Sequence, residues 1–123
     1  MVRLETIIAV KDVSKSSKFY QVLLDLTSKH GGNTFEMLAD KNGTTVLCLH
    51  KWGEHEHPTM INPDLLTGNG LILFFRVTDL DQIWQHALKA NFEIEKEPHY
   101  NSNSLKNQFT LRDPDGYYLI ISE

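Results

Sequence analysis

Val10-Lys11-Asp12-Val13 recurs 67 residues later as Val77-Thr78-Asp79-Leu80. In both copies an apolar, β-branched run typical of a strand comes before the repeated tetrapeptide, and an amphipathic helical pattern comes after it. A second segment, Asp40-Lys41-Asn42-Gly43, returns as Asp113-Pro114-Asp115-Gly116 at an offset of 73 residues. Both of these segments have the composition of tight turns between strands. The same order of elements therefore occurs twice, and the sequence predicts a duplicated βαβββ unit.

The hydrophobic periodicity places the individual elements of each copy. The first copy is predicted to contain a helix from Ser14 and strands over residues 6–10, 35–39 and 44–50. The second is predicted to contain a helix over residues 80–90 and strands over residues 71–77, 92–96, 107–112 and 117–122. A polar loop over residues 98–104 accounts for the difference between the two offsets. We interpret the chain as one domain, 1–123, with modules 1–52 and 70–123 joined by a loop over 53–69.

Composition and charge exclude several classes of protein. The apolar fraction of 41% and the charged fraction of 23% are those of an ordinary globular domain. A net charge of −4 argues against a surface for nucleic acid or for an anionic membrane. No apolar run approaches the ~20 residues of a membrane span, and the N-terminus lacks the apolar core of a signal peptide. We therefore expect a cytoplasmic protein. The single cysteine, Cys48, excludes an internal disulfide and is predicted to be buried.

Two segments of the chain resemble the vicinal oxygen chelate superfamily, which contains glyoxalase I, the bleomycin-resistance proteins and the extradiol dioxygenases. They are Val10-Lys11-Asp12-Val13 with Ser16, Phe19 and Tyr20, and then Leu111-Arg112-Asp113-Pro114-Asp115-Gly116-Tyr117. The resemblance covers the whole chain. It implies an α+β fold in which tandem βαβββ modules form a curved mixed sheet, and a homodimer that completes the ligand site.

The resemblance also implies four positions at which the family carries metal ligands. These positions are occupied here by Glu5, Leu47, Ile72 and Ile120. One carboxylate and three aliphatic side chains do not provide the three or four N, O or S donors that a divalent ion needs. We therefore expect no metal at the family site, and no cofactor.

Strand alternation extends this set to a predicted ligand cavity. Phe74 and Arg76 share a face with Ile72, and Tyr118 shares one with Ile120. If both hairpin loops have four residues, Glu36 lies opposite Leu47 and Phe109 lies opposite Ile120. The predicted ligand-binding residues are Glu5, Glu36, Leu47, Ile72, Phe74, Arg76, Phe109, Tyr118 and Ile120. The polar members have alternative roles in ion pairs or at strand edges, and the aromatic members have alternative roles in core packing.

This cavity favours a small-molecule-binding protein without the family metal site. Its apolar and aromatic lining suits an aromatic ligand, and its two carboxylates suit a cationic one. The alternative is a metal-dependent lyase, isomerase or dioxygenase of the glyoxalase type, and a third possibility is a structural dimer without a ligand.

The loop between the modules contains a histidine-rich start and an apolar end. His55-Glu56-His57 follows shortly after His50, and an extended His-x-His segment places both rings on one side, as zinc sites require. No second pair with suitable spacing follows, so a solvated, mobile segment is the alternative interpretation. The apolar end, from Met60 to Leu66, is predicted to bury against its own core or against a partner. The whole loop is also a candidate lid.

Overall fold

The computed structural model of the chain describes residues 3–55, 57–69 and 71–123. It contains two compact units, Met1–Leu66 and Thr67–Glu123, and we describe each unit by itself. The boundary between the units falls within the loop that was predicted to join the modules.

The first unit contains one helix and a four-stranded sheet. Its elements are β1 (Ile7–Val10), α1 (Val13–Leu24), β2 (Thr27–Ser28), β3 (Phe35–Ala39), β4 (Thr45–Lys51) and a short 3₁₀ helix (Pro58–Met60). The strand order is β1-β4-β3-β2. β1 runs parallel to β4, whereas the remaining neighbours are antiparallel.

The second unit repeats this topology. Its elements are β5 (Leu73–Arg76), α2 (Leu80–Lys89), β6 (Ile94–Asn101), β7 (Lys106–Arg112) and β8 (Tyr118–Ser122). The strand order is β5-β8-β7-β6, again with a parallel first pair. The predicted α+β fold with tandem βαβββ modules is therefore confirmed.

Equivalent aspartates begin the helix of each unit. The Asp12 side chain accepts a hydrogen bond from the backbone N–H of Lys15 at 3.0 Å. Asp79 accepts one from the backbone N–H of Gln82 at the same distance. Each carboxylate satisfies an N–H that has no partner within its helix. The repeated aspartate thus explains why a helix starts directly after the first strand of both modules.

Equivalent aspartates also shape the two repeated turns. Asp40 Oδ1 accepts the N–H groups of Asn42 and Thr44 at 2.9 and 3.0 Å. Asp113 Oδ1 accepts those of Asp115 and Tyr117 at 2.9 and 2.8 Å. Each turn ends with a glycine at positive φ, which a residue without Cβ adopts at no steric cost. Each loop has five residues between the paired strand ends, one more than predicted.

Two strands differ from the sequence prediction. β2 was not predicted, because two residues carry no detectable alternation. β6 continues to Asn101, so the predicted loop over 98–104 begins four residues too early. Pro98 lies in this strand where the register shifts between Lys96 and His99, and β6 is at the edge of its sheet. A proline is tolerated there because an edge strand need not donate from every N–H.

The core of each unit lies between its helix and one face of its sheet. In the first unit, Tyr20 and Leu23 of α1 are fully buried, as are Val10 and Leu49 of the sheet. In the second unit, Trp84 of α2 contacts the ring of Phe109 in β7, with 5.1 Å between their centroids. Neither helix in the described part of the chain is long and apolar enough to cross a membrane.

Candidate ligand face and histidine cluster

The second unit leaves large apolar side chains exposed on the sheet face that points away from α2. Phe74 of β5 pairs with Ile120 of β8, and side chains that are paired in this way lie on the same face. Tyr118 shares that face because it lies two residues before Ile120. Phe74 is 46% exposed, and Ile72, just before β5, is 56% exposed. We call Ile72, Phe74, Tyr118 and Ile120 the aromatic face.

Two guanidinium groups lie over the rings of this face. Arg76 Cζ is 5.4 Å from the ring centroid of Phe74, and Arg112 Cζ is 5.0 Å from that of Tyr118. Arg112 also donates to Glu95 Oε1 at 2.7 Å, and Arg76 donates to the backbone oxygen of Glu123. These contacts hold both cations within reach of a molecule bound on the rings.

Three predicted lining residues, Phe109, Leu47 and Glu36, belong instead to the helix-facing side of their sheets. Phe109 pairs with Ile121 rather than Ile120 and is 0% exposed. Leu47 pairs with Leu38 and is 1% exposed. The predicted pairing of Phe109 with Ile120 was wrong because the five-residue turn shifts the register by one residue, which moves a side chain to the other face.

In the first unit, Ile7 of β1 is paired with Cys48 of β4. Cys48 rather than Leu47 therefore shares the face of Ile7. Cys48 is 3% exposed, as predicted. Burial raises the pKa of the Cys48 thiol, and the charges of Glu5 and Glu36 raise it further. The thiol therefore stays protonated and unreactive.

The two predicted carboxylates of the first unit have other partners. Glu5, which is exposed, forms an ion pair with Arg3. Glu36 lies opposite Leu49 rather than Leu47, which corrects the predicted register, and it is 3% exposed. Its Oε1 accepts the backbone N–H groups of His30, Gly31 and Met37, and its Oε2 accepts the hydroxyl of Ser28 at 2.7 Å. These hydrogen bonds to Glu36 stabilise the loop between β2 and β3.

Hydrogen bonds to Glu36 determine its ionisation. Burial raises the pKa of the Glu36 carboxyl, but the bonds from Gly31, Ser28, His30 and Met37 together outweigh burial and hold this pKa below its ordinary value. Each of these donors favours the charged form. Glu36 is therefore ionised at neutral pH.

Three histidines meet where β4 ends. His50, the penultimate residue of β4, is 2% exposed, whereas His55 and His57 are exposed. His50 Nε2 lies 3.1 Å from His55 Nδ1. One ring nitrogen from each of the three residues lies within 4.8 Å of the others. We call these three residues the histidine cluster.

A chain reversal after β4 forms the histidine cluster. Gly53 has φ 81° and His55 has φ 58°, and both values turn the backbone away from the strand direction. The N–H of Gly53 donates to the carbonyl of Met60 at 2.7 Å, which draws the following residues back toward the strand end. The exposed His55 and His57 fit the predicted wet start of the loop, but their approach to His50 was missed. The spacing from His50 to His55 across a glycine was the available signal.

The apolar end of the loop is exposed in this structure. Ile61, Leu65 and Leu66 are 63%, 69% and 80% exposed, and Met60 is partly covered. Of the two predicted alternatives, burial against the chain's own core does not occur at these three side chains, and burial against a partner remains a prediction. The sequence alone did not distinguish burial against the core from burial against a partner.

Comparisons with known proteins agree with this architecture. The family model described as the Glyoxalase/Bleomycin resistance protein/Dioxygenase superfamily matches residues 3–121. A lactoylglutathione lyase from Agrobacterium tumefaciens has 18% identity and a TM-score of 0.73, over 99% of this chain and 92% of that chain. A glyoxalase/bleomycin resistance protein/dioxygenase family enzyme from Burkholderia phytofirmans has 20% identity and a TM-score of 0.77, over 96% and 94%. A virulence protein from Salmonella typhimurium has 21% identity and a TM-score of 0.74, over 99% and 96%.

At these identities the solved structures support the fold alone, whereas the family model extends over almost all of the 123 residues. The chain belongs to the glyoxalase/bleomycin resistance protein/dioxygenase superfamily.

Proposed function

We propose that the protein binds a small planar aromatic molecule on the aromatic face of its second unit, and that it does so without a metal at the family positions. The observation that carries this proposal is the exposure of Phe74 and Ile72 beside Ile120 and Tyr118. Adjacent apolar side chains left uncovered on a sheet face are the usual mark of a binding surface.

The charges around this face favour an anionic ligand over a cationic one. The charge of Arg112 is balanced by its ion pair with Glu95, so the cation that attracts negative charge at this face is that of Arg76, which lies over the ring of Phe74. The cationic preference expected from the sequence rested on Glu5 and Glu36, but both carboxylates already have partners. A guanidinium recognises a carboxylate or sulfonate through paired hydrogen bonds, while the neighbouring ring stacks on the aromatic part.

The residues at the four family positions do not fit a metal ion. Leu47, Ile72 and Ile120 have no donor atoms, and Glu5 is in an ion pair with Arg3. Cys48, which takes the place of Leu47 on the face of Ile7, has a thiol whose raised pKa keeps it protonated. A metal-dependent lyase, isomerase or dioxygenase of the glyoxalase type would need donors at these positions. The donor set therefore supports ligand binding rather than the metal-dependent alternative.

Binding of the anionic aromatic fluorophore 8-anilinonaphthalene-1-sulfonate tests the proposal. We expect saturable binding of one probe per chain to the folded protein, and a Phe74→Ala variant that binds about tenfold more weakly. The lost ring contact accounts for about 1.4 kcal/mol, which corresponds to a tenfold change in affinity. Fluorescence titration of both proteins measures this difference.

Leu88→Ala provides the matched control. Leu88 is 49% exposed on α2 of the same unit, so the substitution removes a comparable exposed side chain away from the aromatic face. Equal weakening by Leu88→Ala and Phe74→Ala would contradict the proposal. Stronger binding of the cationic aromatic dye proflavine than of the sulfonate would contradict the proposed ligand charge.

We also propose that the protein is a homodimer and that it functions in the cytoplasm, where its single thiol stays reduced. The exposed apolar side chains of Ile61, Leu65 and Leu66 support dimer formation, because a monomer rarely leaves such a segment in water.

Sedimentation equilibrium at micromolar concentration tests this assembly. We expect a mass of twice 14.1 kDa for the wild type and a shift toward 14.1 kDa for a Leu65→Ser/Leu66→Ser variant. Leu105→Ser, at a side chain that is 68% exposed in the second unit, is expected to leave the dimer intact. A wild-type monomer would refute the homodimer.

A further inference from the structure

The histidine cluster has the spacing of a metal site. In tetrahedral coordination at ~2.0–2.1 Å, neighbouring ligand atoms are ~3.3 Å apart. His50 Nε2 and His55 Nδ1 are joined by a hydrogen bond of 3.1 Å, a separation that is already close to that of two adjacent ligands. The exposed His57 belongs to the same group, since one ring nitrogen from each of the three histidines lies within 4.8 Å of the others.

The surroundings of His50 prepare one nitrogen for coordination. Its Nδ1 lies 2.8 Å from the carbonyl oxygen of Lys51. A carbonyl oxygen only accepts hydrogen bonds, so Nδ1 carries the ring hydrogen and Nε2 keeps its lone pair. Metal-ligating histidines have this arrangement, in which a backbone carbonyl holds the far nitrogen and orients the ring. Because His50 is 2% exposed, its orientation is also held by packing.

The two exposed histidines complete a site that opens to solvent. The side chains of both His55 and His57 are exposed. An ion therefore reaches the site directly from water. Three protein ligands and one open position are the donor set of zinc sites that keep a bound water.

We propose that His50, His55 and His57 bind one divalent transition-metal ion of the Zn²⁺ class. Three imidazoles suit Zn²⁺, Ni²⁺ and Cu²⁺, whereas Mg²⁺ and Ca²⁺ prefer oxygen donors. The site differs from the four family positions, since it consists of the end of β4 and the loop that follows. It consists of residues of the first unit, whereas the aromatic face consists of residues of the second unit.

Isothermal titration of EDTA-treated protein with Zn²⁺ tests the proposal. We expect one Zn²⁺ per chain, and at least tenfold weaker binding by His55→Ala and by His57→Ala, because even indirect partners of a metal contribute about 10–100-fold. Both substitutions are at exposed side chains, so these variants fold normally. The matched control is His99→Ala in the second unit, whose ring nitrogen contacts the backbone of Glu97. It is expected to bind Zn²⁺ as the wild type does.

Two further measurements separate coordination from unspecific binding. Zn²⁺ is expected to raise the melting temperature of the wild type but not that of a His55→Ala/His57→Ala variant, because an ion bound only to the folded state stabilises it. Nitrogen-15 NMR of the imidazole rings is expected to report coordination through Nε2 of His50 and Nδ1 of His55. Absence of saturable Zn²⁺ binding, unchanged affinity in the two single variants, or equal loss in His99→Ala would overturn the proposal.

Discussion

Replacement of Phe109 by alanine is expected to lower the free energy of unfolding by about 3–5 kcal/mol. Phe109 is 0% exposed on the helix-facing side of its sheet and contacts Trp84 of α2. Removing the ring leaves a cavity that the closely packed surroundings fill only in part, so dispersion contacts are lost together with the hydrophobic contribution. Urea denaturation of both proteins measures the difference.

Phe74→Ala is the control that makes this experiment specific. The same side chain is removed from the same sheet, but Phe74 lies on the opposite face and is 46% exposed. Its ring keeps part of its surface in water in the folded state, so we expect a clearly smaller loss of stability. Equal losses in the two variants would contradict the assignment of these residues to opposite faces.

Removal of the Glu36 side chain is expected to have the second largest effect. In Glu36→Ala three backbone N–H groups lose their acceptor, and each unsatisfied donor costs about 1–3 kcal/mol where water cannot replace it. Glu36→Gln keeps an oxygen for these donors but loses the charge, so we expect a loss of only about 1–2 kcal/mol at neutral pH. Urea denaturation of the wild type and both variants measures these losses as shifts of the unfolding midpoint, provided that the dependence of the free energy of unfolding on urea concentration is unchanged.

The pH dependence identifies the charged form of Glu36 as the source of this stability. Because the pKa of Glu36 is lowered in the folded protein, its contribution is complete above the ordinary value of 4.5 and is lost as the pH falls through the folded pKa. The stability gap between wild type and Glu36→Gln should therefore narrow in acid. Glu5→Gln, at an exposed carboxylate, is the matched control. A gap that widens or stays constant in acid would contradict the role of the charge.

Local interactions explain which parts of the fold are readable in the chain. The helices begin at Asp12 and Asp79, and the repeated turns close around Asp40 and Asp113, through hydrogen bonds that span at most four residues. Such contacts depend only on neighbouring residues, so the repeated segments predict both helices and the order of the strands. The α+β class and the duplication follow from that order.

Which face of each strand is buried under the helix depends on contacts between segments that are distant in the sequence. Each aspartate turn has one residue more than a four-residue loop, and this single residue moves Phe109 to the core side of its sheet. Alternation within a strand shows which residues share a face, but pairing with another strand determines which face is covered by a helix. The aromatic face is therefore a product of strand register. Ile72 was predicted from the family resemblance, and Phe74 was predicted from its alternation with Ile72.

The histidine cluster also depends on both the local sequence and the tertiary structure. Sequence spacing brought His55 and His57 together as a pair, but their approach to the buried His50 required positive φ angles and a hydrogen bond from Gly53 to Met60. Composition indicates which side chains are able to bind a metal ion. Only the path of the chain after β4 decides whether their nitrogens converge, because a ligand set needs distances of a few ångströms that sequence separation does not specify.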